Sequence, residues 1–347
     1  SPQVNIDLTH CIRDTRPIII FSKKPSNNQF REMYNIPGVR VLDLHKWIDK
    51  KYLHFINFFY RGVLASWINK QKSPVVFGGE SLFFYKMVPH LKPNVLTVEL
   101  CHLDTWLPYS IGFIDKINKR CFSTEKLKQK VEAQYRENNL PESYFSRLFF
   151  LDNAIDFPGE YQNHSPRLQV FYIGRGSPQK RVPLIAEIAS SLHQKNAAVD
   201  FSFVGDVEKV IDPVQLPFCT FYGNVKSQDK MQELYKKADV LLMTSAFEGL
   251  PVVIMQMMAH GKVVVSTPVG GIPDYIFDNL NGLILNNGAE PQIVEDGIKA
   301  IEKLASDIQL RERLGAKSRE IAIQKFSREA FCRNYRKLLE LDQRLKT

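Results

Sequence analysis

Short apolar runs alternate with helical patterns through residues 168–285. Six runs predict strands: LQVFYIG (168–174), VDFSFVG (199–205), CTFYG (219–223), DVLLMTS (239–245), KVVVST (262–267) and GLIL (282–285). Four segments between them have helical spacing: VPLIAEIASSLHQK (182–195), QDKMQELYKKA (228–238), VVIMQMMAHG (252–261) and GIPDYIFD (271–278). Nearly continuous apolar strands separated by helices indicate a parallel sheet covered on both faces. The pattern therefore predicts a doubly wound, Rossmann-like domain with its ligands at the carboxyl ends of the strands.

The first half shows a similar but less regular pattern. Its predicted strands are PIIIF (17–21), VRVLDL (39–44), PVVFGG (74–79), VLTVELC (95–101), RCFST (120–124) and LFFLD (148–152). Its predicted helices cover 46–71, 80–90 and 125–138, and two more are predicted near 307–324 and 327–345. Pro158, Gly159 and Pro166 interrupt regular structure and predict a linker. We therefore expect domains at 1–156 and 157–326, with a C-terminal helix at 327–347 that packs back on the first domain.

Composition is typical of a soluble globular protein, with 44% hydrophobic and 24% charged residues. The five cysteines are an odd number without a CxxC pair. They argue against a disulfide framework or a zinc site and for a reduced compartment, so we expect a cytoplasmic protein. The most apolar window, 52–68, is interrupted by His54, Asn57 and Arg61 and is too short for a confident membrane span.

The net charge of +9 lies entirely in the first half of the chain. Residues 1–150 hold 22 Lys/Arg against 13 Asp/Glu, whereas residues 151–347 hold 24 of each. Such a basic half suggests an anionic partner, which could be a membrane surface, a phosphate-bearing acceptor or nucleic acid. The alternative is that the basic half is simply a solvated surface. No recognition motif supports nucleic acid. The segment 45–72 mixes aromatic and basic residues, which describes either a helix on the inner face of an anionic membrane or a buried helix.

The segment SAFEGLPVVIMQMMAHG (245–261) places a carboxylate between a strand and an apolar helix. Pro251 suits the first helical position, and free backbone N–H groups at a helix start favour a phosphate. Gly249 permits close approach of a ligand, and Glu248 can accept hydrogen bonds from sugar hydroxyls. Gln256, about two turns into the helix, returns to roughly the same side. The alternative interpretation makes Glu248 a helix-capping acid and Gln256 a chance polar residue.

Three further strand ends carry candidate ligand contacts. In VFYIGRGSPQKR (170–181), Arg175 and Lys180 follow a strand and are placed to clamp a diphosphate, unless the turn is simply basic and solvated. The phosphate-binding P-loop pattern is absent. The second is the paired glycine in STPVGGIPDYI (266–276), which a tight turn also explains. The third is the strand end FYGNV (221–225), where backbone can contact the flat ring of a nucleotide base.

Taken together, these pieces resemble the donor-binding half of retaining glycosyltransferases of family four, the glycosyl transferases group 1, which have the GT-B fold. The residues that carry the resemblance are GRGSPQKR, FVGD, FYGNV, LYKKADVLLMTSAFEGLPVVIMQMMAHG, KVVVSTPVGGIPDYI and NGLIL, between about 168 and 285. The resemblance implies an α/β protein of two Rossmann-like domains facing a cleft. It also implies a nucleoside-diphosphate sugar as donor, with no metal or other cofactor.

The resemblance also implies a role for each matching residue. Glu248 is similar to the first acid of the family's Glu-x7-Glu motif, which binds the donor sugar. Arg175 and Lys180 resemble the diphosphate clamp, which replaces a metal in stabilising the leaving group. The remaining donor contacts implied by the resemblance are Gly249 and Leu250 for sugar and phosphate, and Asn224 and Val225 for the base.

Two features depart from the family pattern. The second acid of the motif falls at 256 and is Gln, so we expect a ribose contact weakened by about 1 kcal/mol. The opening IIIFSKKPSNNQF lacks the glycine-rich loop expected after the first strand, which suggests an abbreviated acceptor domain. Within that domain, VELCHLD (98–104) places His102 after a strand, where the family often has a His facing the cleft; a core or surface histidine is the alternative.

Three functions remain open from the sequence. The first is a retaining glycosyltransferase acting on a glycan or lipid-linked acceptor, in polysaccharide or glycoconjugate synthesis. The second is a nucleotide-sugar epimerase of the same fold, although no extra acid/base pair is evident. The third is a catalytically weakened nucleotide-sugar-binding scaffold subunit, which Gln256 favours.

Overall fold

Every strand pairing in the described part of the chain is parallel. The computed structural model describes residues 2–24, 31–48, 54–102, 107–159 and 166–344. It divides the chain into two units, one formed by residues 1–154 with 328–347 and the other by residues 155–327. The predicted α/β class, with parallel sheets joined by helices, is confirmed.

The first unit contains a pair of strands and a four-stranded sheet. The pair is β1 (Ile18–Phe21) and β2 (Arg40–Asp43); the sheet has the order β3 (Val75–Gly78), β4 (Leu96–Cys101), β5 (Lys119–Phe122) and β6 (Leu148–Phe150). Its helices are α1 (Pro2–Cys11), α2 (His45–Ile48), α3 (His54–Ile68), α4 (Leu82–Met87), α5 (Leu107–Ser110), α6 (Glu125–Glu137), α7 (Glu142–Phe145), α13 (Arg328–Leu338) and α14 (Leu341–Arg344). Strand β4 is buried along its whole length, as expected for a strand covered on both faces.

The C-terminal helix α13 completes the core of the first unit. Phe331, Tyr335 and Leu338 recur at helical spacing and pack against Val98 and Leu100 of β4. Cys332 on the same helix forms a disulfide with Cys11 at the end of α1. The expectation of a chain without disulfides is therefore wrong at these two positions. A pairing between residues 321 apart in sequence leaves no signal in cysteine spacing.

A buried ion pair crosses β4 and β5 of the first unit. Glu99 and Arg120 are register partners, 0% and 2% exposed, and Arg120 Nε donates to Glu99 Oε2 at 2.6 Å. Arg120 Nη1 donates to the Tyr135 hydroxyl at 2.6 Å, and Nη2 donates to Ser110 Oγ. The Tyr85 hydroxyl donates to Glu99 Oε1 at 2.5 Å. Both charges are thus hydrogen-bonded on several sides, which is the condition for keeping them buried.

The second unit is a single six-stranded sheet. Its order is β12 (Gly282–Ile284), β11 (Val263–Ser266), β10 (Val240–Met243), β7 (Leu168–Ile173), β8 (Val199–Val204) and β9 (Thr220–Phe221). Its helices are α8 (Val182–Gln194), α9 (Gln228–Lys237), α10 (Val252–Ala259), α11 (Glu290–Ser306) and α12 (Ile308–Phe326). Because the chain runs outward from β7 in one direction and resumes at β10 in the other, the switch point lies between these two strands.

Several local predictions are corrected by the structure. The segment 271–278 contains only a 3-10 turn at Ile272–Asp274 instead of a helix. The predicted helix 46–71 is α2 and α3, with residues 49–53 between them outside the described residues. Thr124 caps α6, and Pro251 is the N-cap residue of α10, not its first helical residue. Helices α1 and α11 had not been predicted.

Breaking the buried pair should destabilise the first unit strongly. We expect Arg120→Leu to lower the free energy of unfolding by about 3–5 kcal/mol, because Glu99 is left as an unpaired buried charge. The double variant Glu99→Leu with Arg120→Leu should lose less than the single variant, since neither charge remains. Chemical denaturation of the full chain measures both.

An exposed ion pair supplies the control. Lys195→Met breaks a pair with Glu302 whose side chains are 54% and 41% exposed, and should cost less than about 1 kcal/mol. A double variant as unstable as Arg120→Leu would contradict the view that the isolated charge causes the loss.

Candidate active site

The loops that carry the predicted donor contacts all lie at one edge of the second sheet. They follow the carboxyl ends of β7, β8, β9, β10 and β11, and these parallel strands all end at the same edge. Lys180 lies in the loop after β7, and Glu248 in the loop after β10. The two residues therefore come from opposite sides of the switch point.

Glu248 and Lys180 form an ion pair at this point. Lys180 Nζ lies 2.5 Å from Glu248 Oε1, and the side chains are only 12% and 6% exposed, respectively. Ser245 Oγ donates to the same carboxylate oxygen at 2.6 Å, and Ser245 is fully buried. The sequence placed Lys180 and Glu248 in one site by resemblance; it did not indicate that they touch, nor that Ser245 joins them.

Arg181, which the sequence analysis left without a role, holds the end of β10 in place. Its Nε donates to the Thr244 carbonyl at 2.6 Å and its Nη2 to the Ser245 carbonyl at 2.9 Å. Thr244 Oγ1 donates in return to the Arg181 carbonyl at 2.9 Å. These bonds tie the Lys180 loop to the strand that leads to Glu248. No sequence signal marked Arg181, because its partners are backbone atoms more than 60 residues away.

Gly270 is required by the close approach of the Glu248 turn. A Cβ at this position would lie 2.0 Å from the Glu248 carbonyl oxygen, and its φ of +63° is a left-handed value. The neighbouring Gly271 N–H donates to the Gly249 carbonyl at 2.9 Å. The paired glycine therefore fixes the backbone at and just after the predicted sugar-binding acid.

Arg175 lies on a turn whose backbone is well fixed. The Tyr172 hydroxyl donates to the Arg175 carbonyl at 2.8 Å, and the Gly176 N–H donates to Asp206 Oδ1 at 3.0 Å. The side chain of Arg175 is exposed. Ser177, two residues on, has a buried hydroxyl with no hydrogen-bond partner among the described residues. The loop thus presents one exposed cation and one unsatisfied hydroxyl.

Helix α10 carries the remaining predicted contacts on this side. Gly249 is exposed and Leu250 half-buried in the turn before it. Gln256 is half-buried on the helix, and its Oε1 is buried without a hydrogen-bond partner among the described residues. A buried amide oxygen left unpaired costs about 1–3 kcal/mol, so this side chain is not explained by packing alone.

The predicted base contacts follow the edge strand β9. Asn224 is exposed and Val225 half-buried. The Gly205 N–H donates to the Gly223 carbonyl at 2.8 Å, and a Cβ on Gly205 would lie 1.8 Å from the Gly174 carbonyl oxygen. The turns after β7, β8 and β9 are therefore packed backbone to backbone. This contact places Asn224 and Val225 at the same edge as the Arg175 loop.

His102 belongs to the first unit, where it directly follows β4. Burial lowers the pKa of His102 to about 4, so the ring is neutral near pH 7. Its backbone N–H donates to Glu80 Oε1 at 2.6 Å, and its Nε2 is buried without a hydrogen-bond partner among the described residues. Glu80 follows Gly79, whose Cβ position lies 2.1 Å from the Leu100 carbonyl oxygen.

Within the described ranges, no group of three or more His, Cys, Asp or Glu side chains is arranged to hold a metal ion. The proposed absence of a metal or other cofactor stays a prediction.

Comparison with known proteins bears directly on this edge of the sheet. Residues 167–307 match the family model described as glycosyl transferases group 1. Over these residues the chain is similar to that family. The matched range contains Arg175, Lys180, Glu248 and Gln256, and hence the loops described above.

Individual relatives agree with this assignment. An uncharacterised glycosyltransferase of Methanocaldococcus jannaschii is 27% identical over 60% of this chain and 58% of its own length. The poly(ribitol-phosphate) alpha-N-acetylglucosaminyltransferase of Staphylococcus aureus is 26% identical over 65% of this chain and 45% of its own. The crystal structure of Anabaena Alr3699/HepE in complex with UDP superposes with a TM-score of 0.70 at 14% identity, covering 98% of this chain and 96% of that one. The chain thus spans about half the length of these two curated relatives, and the structural likeness shows the fold.

Substitution of Gly270 tests whether the turn around Glu248 shapes the site. We expect Gly270→Ala to abolish nucleotide binding, because its Cβ would push the Glu248 carbonyl aside. Gly261→Ala is the matched control. Gly261 has a similar φ of +67°, but the nearest atom to its Cβ position is 3.6 Å away, so only the left-handed strain of about 1 kcal/mol applies. Calorimetric titration with UDP measures both, and equal binding by the two variants would contradict this account.

Proposed function

We propose that this protein is a retaining, metal-independent glycosyltransferase that moves a sugar from a nucleoside-diphosphate sugar to a glycan or lipid-linked acceptor. The observation that carries the proposal is the buried Lys180–Glu248 pair at the switch point of the parallel sheet. A buried carboxylate and a buried ammonium are complementary to the two halves of such a donor. The carboxylate accepts hydrogen bonds from sugar hydroxyls, and the ammonium pairs with the diphosphate.

Donor binding on this proposal is an exchange of partners. Lys180 leaves Glu248 for the diphosphate, and Glu248 takes sugar hydroxyls in place of the ammonium. Ser245 keeps its hydrogen bond to the carboxylate and so holds it in position. Both charges have a partner before and after the donor binds, so neither is left as an unpaired charge in a poorly solvated site.

The diphosphate would be stabilised by protein charges. Arg175 supplies a forked donor, Lys180 a point charge, and the N-terminus of the eight-residue helix α10 its free N–H groups. These groups act on the charge that develops as the nucleoside diphosphate leaves, which is where electrostatic catalysis is most effective. Gly249 and Leu250 would face sugar and phosphate.

The base of the donor is proposed to be uracil. UDP is the nucleotide in the Anabaena complex that shares this fold. Asn224 and Val225 would contact the base from the end of β9. The unpaired Oε1 of Gln256 would accept a hydrogen bond from a ribose hydroxyl, which removes the cost of leaving it buried and unsatisfied.

His102 is proposed to contact the donor sugar as a neutral ring. Its low pKa keeps it uncharged near neutral pH, so it acts by hydrogen bonding and carries no positive charge.

The acceptor is the second substrate of the proposed reaction. The Staphylococcus aureus relative is named for poly(ribitol phosphate), an anionic polymer, and an anionic acceptor suits the positive charge of the first half.

A thermal-shift screen of UDP-, GDP-, ADP- and CMP-sugars tests whether the protein binds a nucleotide sugar and which base its site accepts. We expect UDP-sugars alone to raise the melting temperature. Turnover is then measured with the sugar that binds, and the anomeric configuration of the product is read by NMR. Binding without turnover in any acceptor extract would favour the scaffold subunit, whereas release of an epimerised nucleotide sugar would favour the epimerase.

Glu248→Gln separates sugar handling from diphosphate binding. We expect transfer to fall by about 10²–10³-fold, because the carboxylate no longer holds the sugar. Binding of UDP itself should stay unchanged or become tighter, since Lys180 is released from its partner. Calorimetry with UDP and a transfer assay give the two readouts.

Arg175→Ala should show the opposite pattern and weaken UDP binding by about tenfold or more. Arg333→Ala, also an exposed arginine, is the control and should leave UDP binding unchanged. Loss of UDP binding in Glu248→Gln would mean that the acid shapes the diphosphate site, contrary to the proposal.

Gln256→Glu tests the ribose contact. We expect the variant to melt at a lower temperature without ligand, because it buries an unpaired charge. It should nevertheless bind UDP about tenfold more tightly, because a carboxylate accepts the ribose hydrogen bond more strongly. Gln256→Met is the matched control: it removes the unpaired oxygen, so the free protein should be no less stable, while UDP binding weakens. Weaker UDP binding by Gln256→Glu than by the native protein would show that Gln256 serves another contact.

A further inference from the structure

Helix α3 of the first unit exposes an apolar face. Five side chains form this aromatic face: Phe55 (69% exposed), Phe58 (62%), Phe59 (64%), Val63 (49%) and Trp67 (42%). Their spacing of three and four residues places them on one side of the helix. Trp47 on the preceding helix is 58% exposed. Isolated exposed apolar residues are common, but a continuous row of large ones marks an interaction surface.

The opposite side of α3 is packed and fixes the direction of the aromatic face. Leu64, Ala65 and Ile68 are buried in a cluster with Phe83 and Met87 of α4. Rotation of the helix to bury the aromatic residues would expose this cluster. The two interpretations of segment 45–72 therefore apply to different faces of the same helix.

A basic groove adjoins the aromatic face. It is a pocket of about 280 Å³, lined among others by Lys70, His90 and Lys92. The rings of Phe58 and His90 meet edge to face at 6.3 Å, so the groove and the aromatic face are continuous. Asn69 shapes the groove: its Nδ2 donates to the His90 carbonyl at 3.0 Å and its Oδ1 accepts from the Lys92 N–H at 2.8 Å.

The charged residues in this part of the chain are mostly basic. Between residues 54 and 95 the sequence has five Lys or Arg (Arg61, Lys70, Lys72, Lys86, Lys92) and a single acid, Glu80. The Arg61 guanidinium lies 5.6 Å from the centre of the Phe58 ring, which brings positive charge to the aromatic face itself. A row of aromatic residues bordered by cations is the pattern of a helix lying in the surface of an anionic bilayer.

We propose that the aromatic face of α3 inserts into the surface of an anionic phospholipid bilayer while the basic groove takes lipid phosphate. A second copy of this chain fits less well, because pairing two such surfaces would bring like charges together. No described helix has the length and apolar character needed to cross a membrane. The surface is distinct from the donor site, and its test does not depend on glycosyl transfer.

Vesicle co-sedimentation of the full chain tests the proposal. We expect binding to phosphatidylglycerol/phosphatidylcholine vesicles, little binding to pure phosphatidylcholine, and weaker binding as salt rises. In a Trp106→Phe variant, the remaining tryptophans are Trp47 and Trp67, both exposed here. Their emission should shift to the blue on the anionic vesicles and be quenched by brominated lipid.

Two pairs of variants separate the apolar and the charged contributions. Phe55→Gln with Phe59→Gln should weaken vesicle binding by about tenfold or more. Ile308→Gln with Ile323→Gln, at residues 57% and 47% exposed on α12, should leave it unchanged. Lys70→Glu with Lys92→Glu should also weaken binding by about tenfold or more, whereas Lys230→Glu with Lys325→Glu, at two exposed lysines elsewhere, should have a much smaller effect.

Folding and assembly are checked on the same samples. The side chains substituted in these two pairs and in their controls are exposed, and equal melting temperatures would show that the variants fold. The proposal is overturned if anionic vesicles do not bind the native chain, or if the Phe55/Phe59 variant binds them as well as the native chain. It is also overturned if sedimentation velocity shows a dimer that the Phe55/Phe59 variant loses while vesicle binding is absent.

Discussion

The candidate site depends on one interaction, the ion pair between Lys180 and Glu248. Its partners follow strands β7 and β10, between which the order of the sheet reverses. A pair with so little exposure is sustained only if both loops are held rigidly. Arg181 binds the carbonyls at the end of β10, Thr244 returns a hydrogen bond, and Gly270 permits the backbone of the Glu248 turn to approach. These contacts hold Lys180 and Glu248 in fixed positions. On the proposed function, a donor that separates the pair meets an ammonium and a carboxylate that are already in place.

The sheets were predictable from the sequence because continuous apolar strands leave a direct record in residue order. The strands of the second unit end within one or two residues of the apolar runs that predicted them. Helix α11 was overlooked although its apolar residues, from Ile293 to Leu304, follow helical spacing. The disulfide between Cys11 and Cys332 was not predictable, because it depends on the packing of α1 beside α13, which joins the two ends of the chain.

The candidate site was predictable in its residue types but not in its contacts. Turns after parallel strands collect at one edge, so Lys180 and Glu248 were expected near each other. The Lys180–Glu248 contact and the role of Arg181 depend on atoms more than 60 residues apart and leave no periodic signal. The unpaired Oε1 of Gln256 could be recognised only from the packing around it. Gln256 departs from the family pattern in sequence, and its amide oxygen has no hydrogen-bond partner among the described residues.

The uneven distribution of charge follows from the two proposals together. A nucleoside-diphosphate donor brings its negative charge into a small site, where two cations and a helix N-terminus suffice, so residues 151–347 need no overall excess and have none. A bilayer is an extended negative surface, and attraction to it adds up over many separate cations. The excess of nine positive charges in residues 1–150 includes charge of this second kind, because Lys70 and Lys92 line the basic groove, are exposed and form no ion pair among the described residues. Local charge for the donor and distributed charge for the membrane are therefore different solutions to binding anions of different size.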